Sequence, residues 1–535
     1  MLELAGESVF KVRAYENGAR TILAFPGDLE EAVRSRELLA VPGIGSGLFA
    51  NIESLLRTGS FPYYDELRAR FPPGLRECLR IPGLGARRVR QLHEALGIDS
   101  LETLDKACRE GRLSAVKGFG PASVARIVKG IALLRSSAGF HRYPKALRRS
   151  EEILQSLRAT GLASRIQVAG SLRRRKEVIR DIDIVAASPE PGPLTAAFRT
   201  LPGVVNVTAE GPTKTSLRFA DGLAADLRVV SEEEFPAALL SFTGSQEHNT
   251  QLRGRAKKLG RKLNEYGLFE AEGGGPSLPC PSEAAIYSAL GLAFIEPELR
   301  EGWGEIEAAE RGTLPVLVER RDLRGLIHLH TTASDGRDSL EDMVAAARGA
   351  GYSYAAITDH SQSAAYAGGL GQAQVLAQRE EIRALRRSFP DFRIFHGTEA
   401  DILADGSIDY GDEFLKGFDI VVASVHSRFG LPPEEQTRRL IRAVENPLVS
   451  VLGHPTGRLL LSREGAAADW KAVIDAAARS GCALEINCNP ERLDLDWRLC
   501  RRAVEAGALL SIGPDAHSVG ELELVSLGVG IARKG

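Results

Sequence analysis

Apolar positions follow different periods in different parts of this chain. Three short segments, VPGIGSGLFANI (41–52), IPGLGARRVRQL (81–92) and VKGFGPASVARI (116–127), each read apolar, Pro or Lys, Gly, apolar, Gly, and then a helical pattern. The paired glycines Gly43/Gly45, Gly83/Gly85 and Gly118/Gly120 permit a hairpin too tight for side chains and leave backbone N–H groups free at the next helix N-terminus. Such a surface suits phosphates without reading bases. One pair would fit an ordinary turn between packed helices equally well; three copies argue for helix-hairpin-helix binding to a DNA backbone.

From about residue 140 the pattern becomes mixed α/β, centred on SRIQVAGSLRRRKEVIRDIDIVAAS (164–188). Helix-patterned sequence follows over 231–270, then a Gly/Pro-rich loop (272–281), and an acidic stretch, EGWGEIEAAERG (301–312), reads as a linker. Beyond it, GLIHLH, YAAITDH, FRIFHGTEADI, DIVVASVH, LVSVLGH, CALEINC and LLSIGPDAH alternate with Ala-rich helical segments. That alternation predicts a βα barrel with its active residues at the C-terminal ends of strands. The fold class expected is therefore multidomain: an all-α helix-hairpin-helix N-terminal region, an α+β middle and a C-terminal distorted (β/α)7-type barrel.

At 535 residues the chain exceeds what one core organises. It has no 18-residue apolar run, and its start, MLELAGESVF, lacks the basic flank of a secretory signal, so the expectation is a cytoplasmic protein without membrane spans. Six cysteines form no Cys-x-x-Cys pair, which argues against a disulfide framework or a thiolate zinc site. The net charge of −2 conceals an asymmetry: residues 71–180 carry 23 Lys/Arg against 9 Asp/Glu, an excess suited to a polyanion, although solvated helix faces would also account for it.

RDIDIVAA places Asp181 and Asp183 two apart on a strand, hence on one face, and LAADLRVV supplies Asp226 on another. Three converging carboxylates are what two magnesium or manganese ions need to activate a hydroxyl and hold a triphosphate. Upstream, AGSLRRR ends a strand with Gly170-Ser171 and basic residues. This combination resembles the polymerase-beta-like nucleotidyltransferases, and SFTGSQEHN (241–249) with LNEYGL (263–268) narrows the resemblance to the family X DNA polymerases, over nearly the whole chain.

The resemblance implies an 8-kDa-like helical domain over 1–70, a fingers-like subdomain over 71–138, a palm over 139–236, and a thumb with linker over 237–315. It implies Asp181 and Asp183 as ligands of both ions, and Asp226 at the catalytic ion. Gly170, Ser171 and Arg174 would hold the triphosphate, Phe242 and Gly244 the turn beneath the sugar, Asn249 the minor-groove edge, and Arg253 the template side. Two departures stand out. Ser241 occupies the place of a tyrosine, which bears on sugar discrimination, and Gly47 and Asn51 stand where the animal enzymes carry lyase lysines. Strong deoxyribose-phosphate lyase activity is therefore not expected. Lys11 is implied as a DNA-phosphate contact.

Of ten histidines, seven fall between 328 and 517, and six of these end strand candidates or follow them: His328, His330, His360, His426, His454 and His517. A lone histidine on an apolar face is usually a core residue; six at corresponding strand ends are not. With Asp335, Glu399 and Asp515, and without a thiolate, they suit manganese, zinc or iron and phosphoester hydrolysis. This set resembles the polymerase and histidinol phosphatase (PHP) domain, here over 316–535, which implies up to three Mn2+ or Zn2+ ions and a 3′-to-5′ exonuclease.

Together the resemblances imply a monomeric, gap-filling polymerase of DNA base excision repair. Its partners would be gapped or primer-template DNA and dNTPs, with Mg2+ or Mn2+ at the polymerase site. Two alternatives remain open: a DNA-binding nuclease with weak polymerase activity, and a PHP domain acting as a small-molecule phosphatase.

Overall fold

A computed structural model describes residues 1–23, 25, 27–272 and 275–535. Positions 273 and 274 of the expected Gly/Pro-rich loop lie outside the described residues. Two compact units emerge, Met1–Ala138 with Leu461–Arg463, and Gly139–Leu460 with Glu464–Gly535. No helix among the described residues is long and apolar enough to cross a membrane.

Within the first unit, the described residues of Met1–Ala138 form helices joined by turns, with no strand. In each repeat a short helix leads into a Gly-x-Gly turn and then a longer helix: Ser46–Thr58, Ala86–Leu96 and Pro121–Ser136. The first glycines, Gly43, Gly83 and Gly118, take φ of 92°, 76° and 92°, a left-handed backbone that side chains resist. Leu75, Ile81, Leu84, Leu92, Leu104 and Phe119 form the buried core of the second and third repeats.

In the second unit a five-stranded sheet comes first, built from β1 (Arg165–Val168), β2 (Asp181–Ala187), β3 (Val204–Glu210), β4 (Lys214–Phe219) and β5 (Ala224–Val230) in the order β1-β2-β5-β4-β3. Burial alternates along β5, where Ala225, Leu227 and Val229 face the core, so Asp226 points to the open face. The helices Phe235–Thr243, Gln246–Lys258 and Glu283–Ala289 and the hairpin β6 (Arg261–Asn264) with β7 (Gly267–Glu270) share a separate core.

Two expectations are corrected here. The helical pattern over 231–270 ends at Lys258, and the next residues pair as the antiparallel β6–β7 hairpin, because Asn264 accepts the amides of Tyr266 and Gly267 and turns the chain. The expected linker 301–312 is no linker. It contains the helix Glu305–Arg311, whose Ile306 and Ala309 join the core around Leu252, and Glu305 is buried against His248 at 2.7 Å.

The last part is a parallel seven-stranded sheet in sequence order: β8 (Gly325–Leu329), β9 (Tyr354–Ile357), β10 (Arg393–Asp401), β11 (Ile420–Ser424), β12 (Val451–Leu452), β13 (Ala483–Asn487) and β14 (Leu510–Gly513). Every strand candidate of the sequence forms one. A parallel bridge from Leu329 to Ala516, with His330 N donating to the Ala516 carbonyl at 2.9 Å, closes first strand on last. All strand C-termini therefore converge on one end of the barrel.

Candidate functional sites

On the sheet, β2 and β5 run parallel with Asp183 and Asp226 directly opposite one another, and Asp181 lies two residues before Asp183 on the same face. The three carboxylates repel. Burial, then Asp181 and Asp226, push Asp183 up to about 7, and burial with Asp226 also raises Asp181. Lys214 Nζ lies 3.6 Å from Asp226. Such a cluster fits divalent cations, which would relieve the repulsion.

Gly170 meets the cluster directly: with φ of 61°, a Cβ there would stand 1.9 Å from Asp183 Oδ2. Only glycine fits, which accounts for the Gly-Ser pair. Ser171 follows in the one-turn helix Gly170–Arg173. Arg174 is brought to the site but is engaged: its Nε donates to Glu301 at 2.9 Å and another guanidinium N–H to the Thr243 carbonyl. Arg173 binds Thr243 Oγ1 at 2.6 Å and Glu283, which Arg300 also binds at 2.6 Å.

Phe242 lies under the Arg228 guanidinium, and Gly244 has φ of 71° and is joined to Ser245 by a cis peptide. Ser241, Asn249 and Arg253 line one recess: Asn249 Nδ2 donates to the Ser241 carbonyl at 2.7 Å and Arg253 to Ser241 Oγ at 3.3 Å. In the first unit, Gly45, Gly85 and Gly120 cap their helices at ordinary φ (−80°, −69°, −72°), and a Cβ at each would meet open space. Lys11 is held by Glu7 and the Tyr63 hydroxyl, each at 3.0 Å. Asn51 donates to the Tyr15 hydroxyl and Gly47 is open, so no lysine stands at either position.

At the barrel mouth, all nine expected residues come together in four overlapping groups: His330/Asp335/His360/His517, His328/His454/Asp515, His328/His330/Glu399 and His360/Glu399/His426. Glu399 is the hub. One carboxylate oxygen lies 2.9 Å from His454 Nε2, 3.3 Å from His426 Nε2 and 3.4 Å from His328 Nε2; the other lies 2.9 Å from His360 Nδ1. Three of the nine, His328, His454 and Asp515, have positive φ (72°, 25°, 52°), strain of a kind that collects at functional sites.

Buried ring nitrogens of His328, His330 and His454 have no hydrogen-bond partner among the described residues. A buried imidazole nitrogen left this way is costly unless something outside the protein satisfies it, and cations fit. The carboxylates are poised for the same role: burial opposes their charge, but the histidines outweigh it and hold Glu399 and Asp515 well below the usual range. Around these nine residues sits a second set of buried acids that the strand-end pattern did not single out. Glu485 accepts from His328 Nδ1 at 2.6 Å, Asp401 pairs with His426 Nδ1 at 2.7 Å, and Asp359 takes the Thr331 amide and hydroxyl at 2.8 and 2.7 Å. Their only sequence signal is an acid inside an otherwise apolar strand run, as in CALEINC.

The cluster opens toward solvent on the side of Asp335 and His517. Tyr366, 71% exposed, stands beside it, 6.2 Å from the His360 ring and 6.1 Å from His426, and Arg492 Nε lies 4.0 Å from Asp515.

Comparison with known proteins matches a helix-hairpin-helix domain over residues 1–61, a SAM-like helix-hairpin-helix tandem over 75–132, the DNA polymerase beta thumb over 238–301 and a PHP domain over 327–489. The chain is similar to the DNA polymerase/3′-5′ exonuclease PolX of Bacillus subtilis (strain 168), with 37% identity over 538 residues, 100% of this chain and 93% of that protein. It is also similar to a probable phosphatase of Shewanella sediminis (strain HAW-EB3), 32% identical over 36% of this chain and 79% of the other. A solved Leishmania infantum polymerase beta in a ternary P/T complex shares 21% identity over 43% of this chain and 98% of its own, with a TM-score of 0.28 that bears no weight.

Proposed function

The chain belongs to the bacterial family X DNA polymerases that carry a C-terminal PHP domain, and from that premise we propose that it fills short DNA gaps and trims 3′ ends at two sites sharing no residue. It is a DNA polymerase joined to a metal-dependent 3′-5′ exonuclease. The observation that carries the reading is the pair of disjoint clusters, three carboxylates on the sheet and nine imidazole and carboxylate residues at the barrel mouth.

At the first site, Asp181, Asp183 and Asp226 would hold Mg2+ or Mn2+, which supply a lowered pKa for the primer hydroxyl and charge for the triphosphate. The chain's own groups orient the nucleotide. Ser171 and Arg174 hold its phosphates, Phe242 and Gly244 form the floor under its sugar, Asn249 reads its minor-groove edge and Arg253 meets the template. The Gly-x-Gly turns bind the DNA backbone, along with Lys11. The open space at Gly45, Gly85 and Gly120 supports this, since the protein itself has room for a side chain there and an approaching phosphate does not.

At the second site, His328, His330, Asp335, His360, Glu399, His426, His454, Asp515 and His517 would hold up to three Mn2+ or Zn2+ ions that supply a water nucleophile. Glu399 spans the groups, and Glu485 and Asp401 fix the rings of His328 and His426. Gapped or primer-template DNA and dNTPs are the partners, and the protein acts as a monomer.

Primer extension and 3′-end hydrolysis on one gapped duplex test the assignment. Asp183→Ala abolishes addition and spares trimming, and His328→Ala does the reverse. Loss of both activities in either correctly folded variant refutes separable sites. The likeness to probable phosphatases over 36% of the chain favours one second reading, a small-molecule phosphatase. Faster hydrolysis of histidinol phosphate than of a DNA 3′ end would decide for it.

A further inference from the structure

The helix Val525–Lys534 belongs to the barrel by sequence, yet it packs on both functional parts of the second unit. Leu527 contacts the apolar cores of the sheet and of the barrel alike, and a Cβ at Gly530 would stand 3.0 Å from the Arg175 side chain. At its end the Lys534 side chain is wholly buried. Its ammonium donates to Glu301, to the Arg174 carbonyl at 3.2 Å and to the Glu298 carbonyl at 3.3 Å, and lies 4.6 Å over the Trp497 ring.

Glu301 is thereby shared. The same carboxylate oxygen that receives Lys534 also receives Arg174 Nε at 2.9 Å, while Lys176 lies 3.6 Å from the other oxygen. One carboxylate thus divides its charge among Lys176, a cation of the barrel helix and the arginine proposed to hold the triphosphate.

We propose that Lys534 is a positioning residue for nucleotide addition: by neutralising Glu301 it leaves Arg174 oriented by that carboxylate but with its charge available to the triphosphate. The barrel in this way contributes a residue to the polymerase site. Without the ammonium, Glu301 is left to Arg174 and Lys176 and draws more strongly on the guanidinium, and the site assigned to the triphosphate loses one nearby positive charge in a poorly screened setting. Burial pushes Lys534 down to about 8 against the pull of Glu301, which leaves it charged at neutral pH.

This rests on Arg174 as a phosphate ligand, so Arg174→Ala is the control. The assay is single-nucleotide gap filling by the full-length protein, with the dNTP KM and kcat read separately and 3′-end hydrolysis measured in parallel. Lys534→Met is expected to raise the dNTP KM by about tenfold, the scale of one charge-assisted hydrogen bond, with a smaller change in kcat and unchanged hydrolysis. Glu301→Gln alone moves KM in the opposite direction, and the pair Lys534→Met/Glu301→Gln returns it toward the wild-type value. A charge-balance role requires that rescue, and a packing role does not produce it.

If Arg174→Ala raises KM and Lys534→Met does not, the inference is overturned. The assignment of Arg174 fails instead if Arg174→Ala leaves KM unchanged. Should Lys534→Met fold poorly, Glu301→Gln with Lys534→Arg decides the matter: an unchanged KM in the first, or a loss in the second as large as that of Arg174→Ala, counts against the proposal.

Discussion

Replacing Glu485 by Gln changes almost no volume and replaces none of the nine expected metal ligands, yet it should weaken the barrel site strongly. One oxygen of Glu485 accepts from His328 Nδ1 at 2.6 Å; the other accepts the His454 amide at 2.6 Å and Asn487 Nδ2 at 3.1 Å. A carboxylate only accepts, so the His328 proton sits on Nδ1 and the Nε2 lone pair faces the cluster. A glutamine has one accepting oxygen and one NH2. In one orientation the NH2 opposes the His328 N–H; in the other it opposes the His454 amide. The side chain has no room to swing away, because a Cβ on Gly513 would already stand 2.2 Å from its oxygen. Relief comes from moving the His328 proton to Nε2, which removes the lone pair that would bind the ion. Losing a hydrogen bond to a charged group costs about 1.5–3 kcal/mol. At about 1.4 kcal/mol per tenfold, that is a loss of roughly 10- to 100-fold in metal affinity. Manganese content of the purified variant, its manganese titration and 3′-end hydrolysis measure the effect, with gap filling as the internal control. If the variant binds manganese and hydrolyses within about twofold of the wild type, the tautomer argument is wrong.

Tyr366→Ala should lower hydrolysis of a single-stranded DNA 3′ end by about 10-fold or more, the scale of one lost base stack, and leave bis(p-nitrophenyl) phosphate untouched; equal losses on both substrates would refute base stacking. Asn249→Ala should raise the dNTP KM by about tenfold with little change in kcat, because one Nδ2 hydrogen is held by the Ser241 carbonyl and the other is left to donate to the acceptor on the nucleotide's minor-groove edge. Glu283→Gln tests the junction between Arg173 and Arg300. Burial alone would raise the Glu283 pKa, but the two guanidiniums outweigh it and hold it below 4.5. A depressed carboxylate stabilises the fold above its unfolded pKa, and that contribution disappears as pH falls through the folded value. The melting-temperature gap between wild type and variant should therefore be wide at pH 7, reflecting about 3 kcal/mol, and should close as pH drops below 4.5; a gap independent of pH would exclude the ion pair as its source.

What the sequence made legible is what repeats or alternates. Seven apolar runs, five of them ending in a histidine, became seven parallel strands in chain order, and the three Gly-x-Gly turns became three hairpins with left-handed first glycines. Asp181, Asp183 and Asp226 were readable because strand alternation puts them on the open face once β2 and β5 lie side by side. Residues 301–312 misled for a physical reason. Their acidic composition looks solvated, but Glu305 turns inward, where His248 and the amides of Gly302 and Trp303 satisfy it. Composition records that a group is charged and says nothing of the donors that the fold will bring to it.

The same limit explains why the metal-ligand candidates were visible and the groups that fix them were not. A ligand announces itself by its place at a strand end, a local property. Glu485 faces His328 across 157 residues, and the two meet only because β8 closes on β14 while β13 lies beside β14. Lys534 reaches Glu301 across 233 residues for the comparable reason that one helix packs on both barrel and sheet. A chain with all nine ligand candidates and a neutral residue at position 485 would keep the whole pattern and lose the acceptor that fixes the His328 ring.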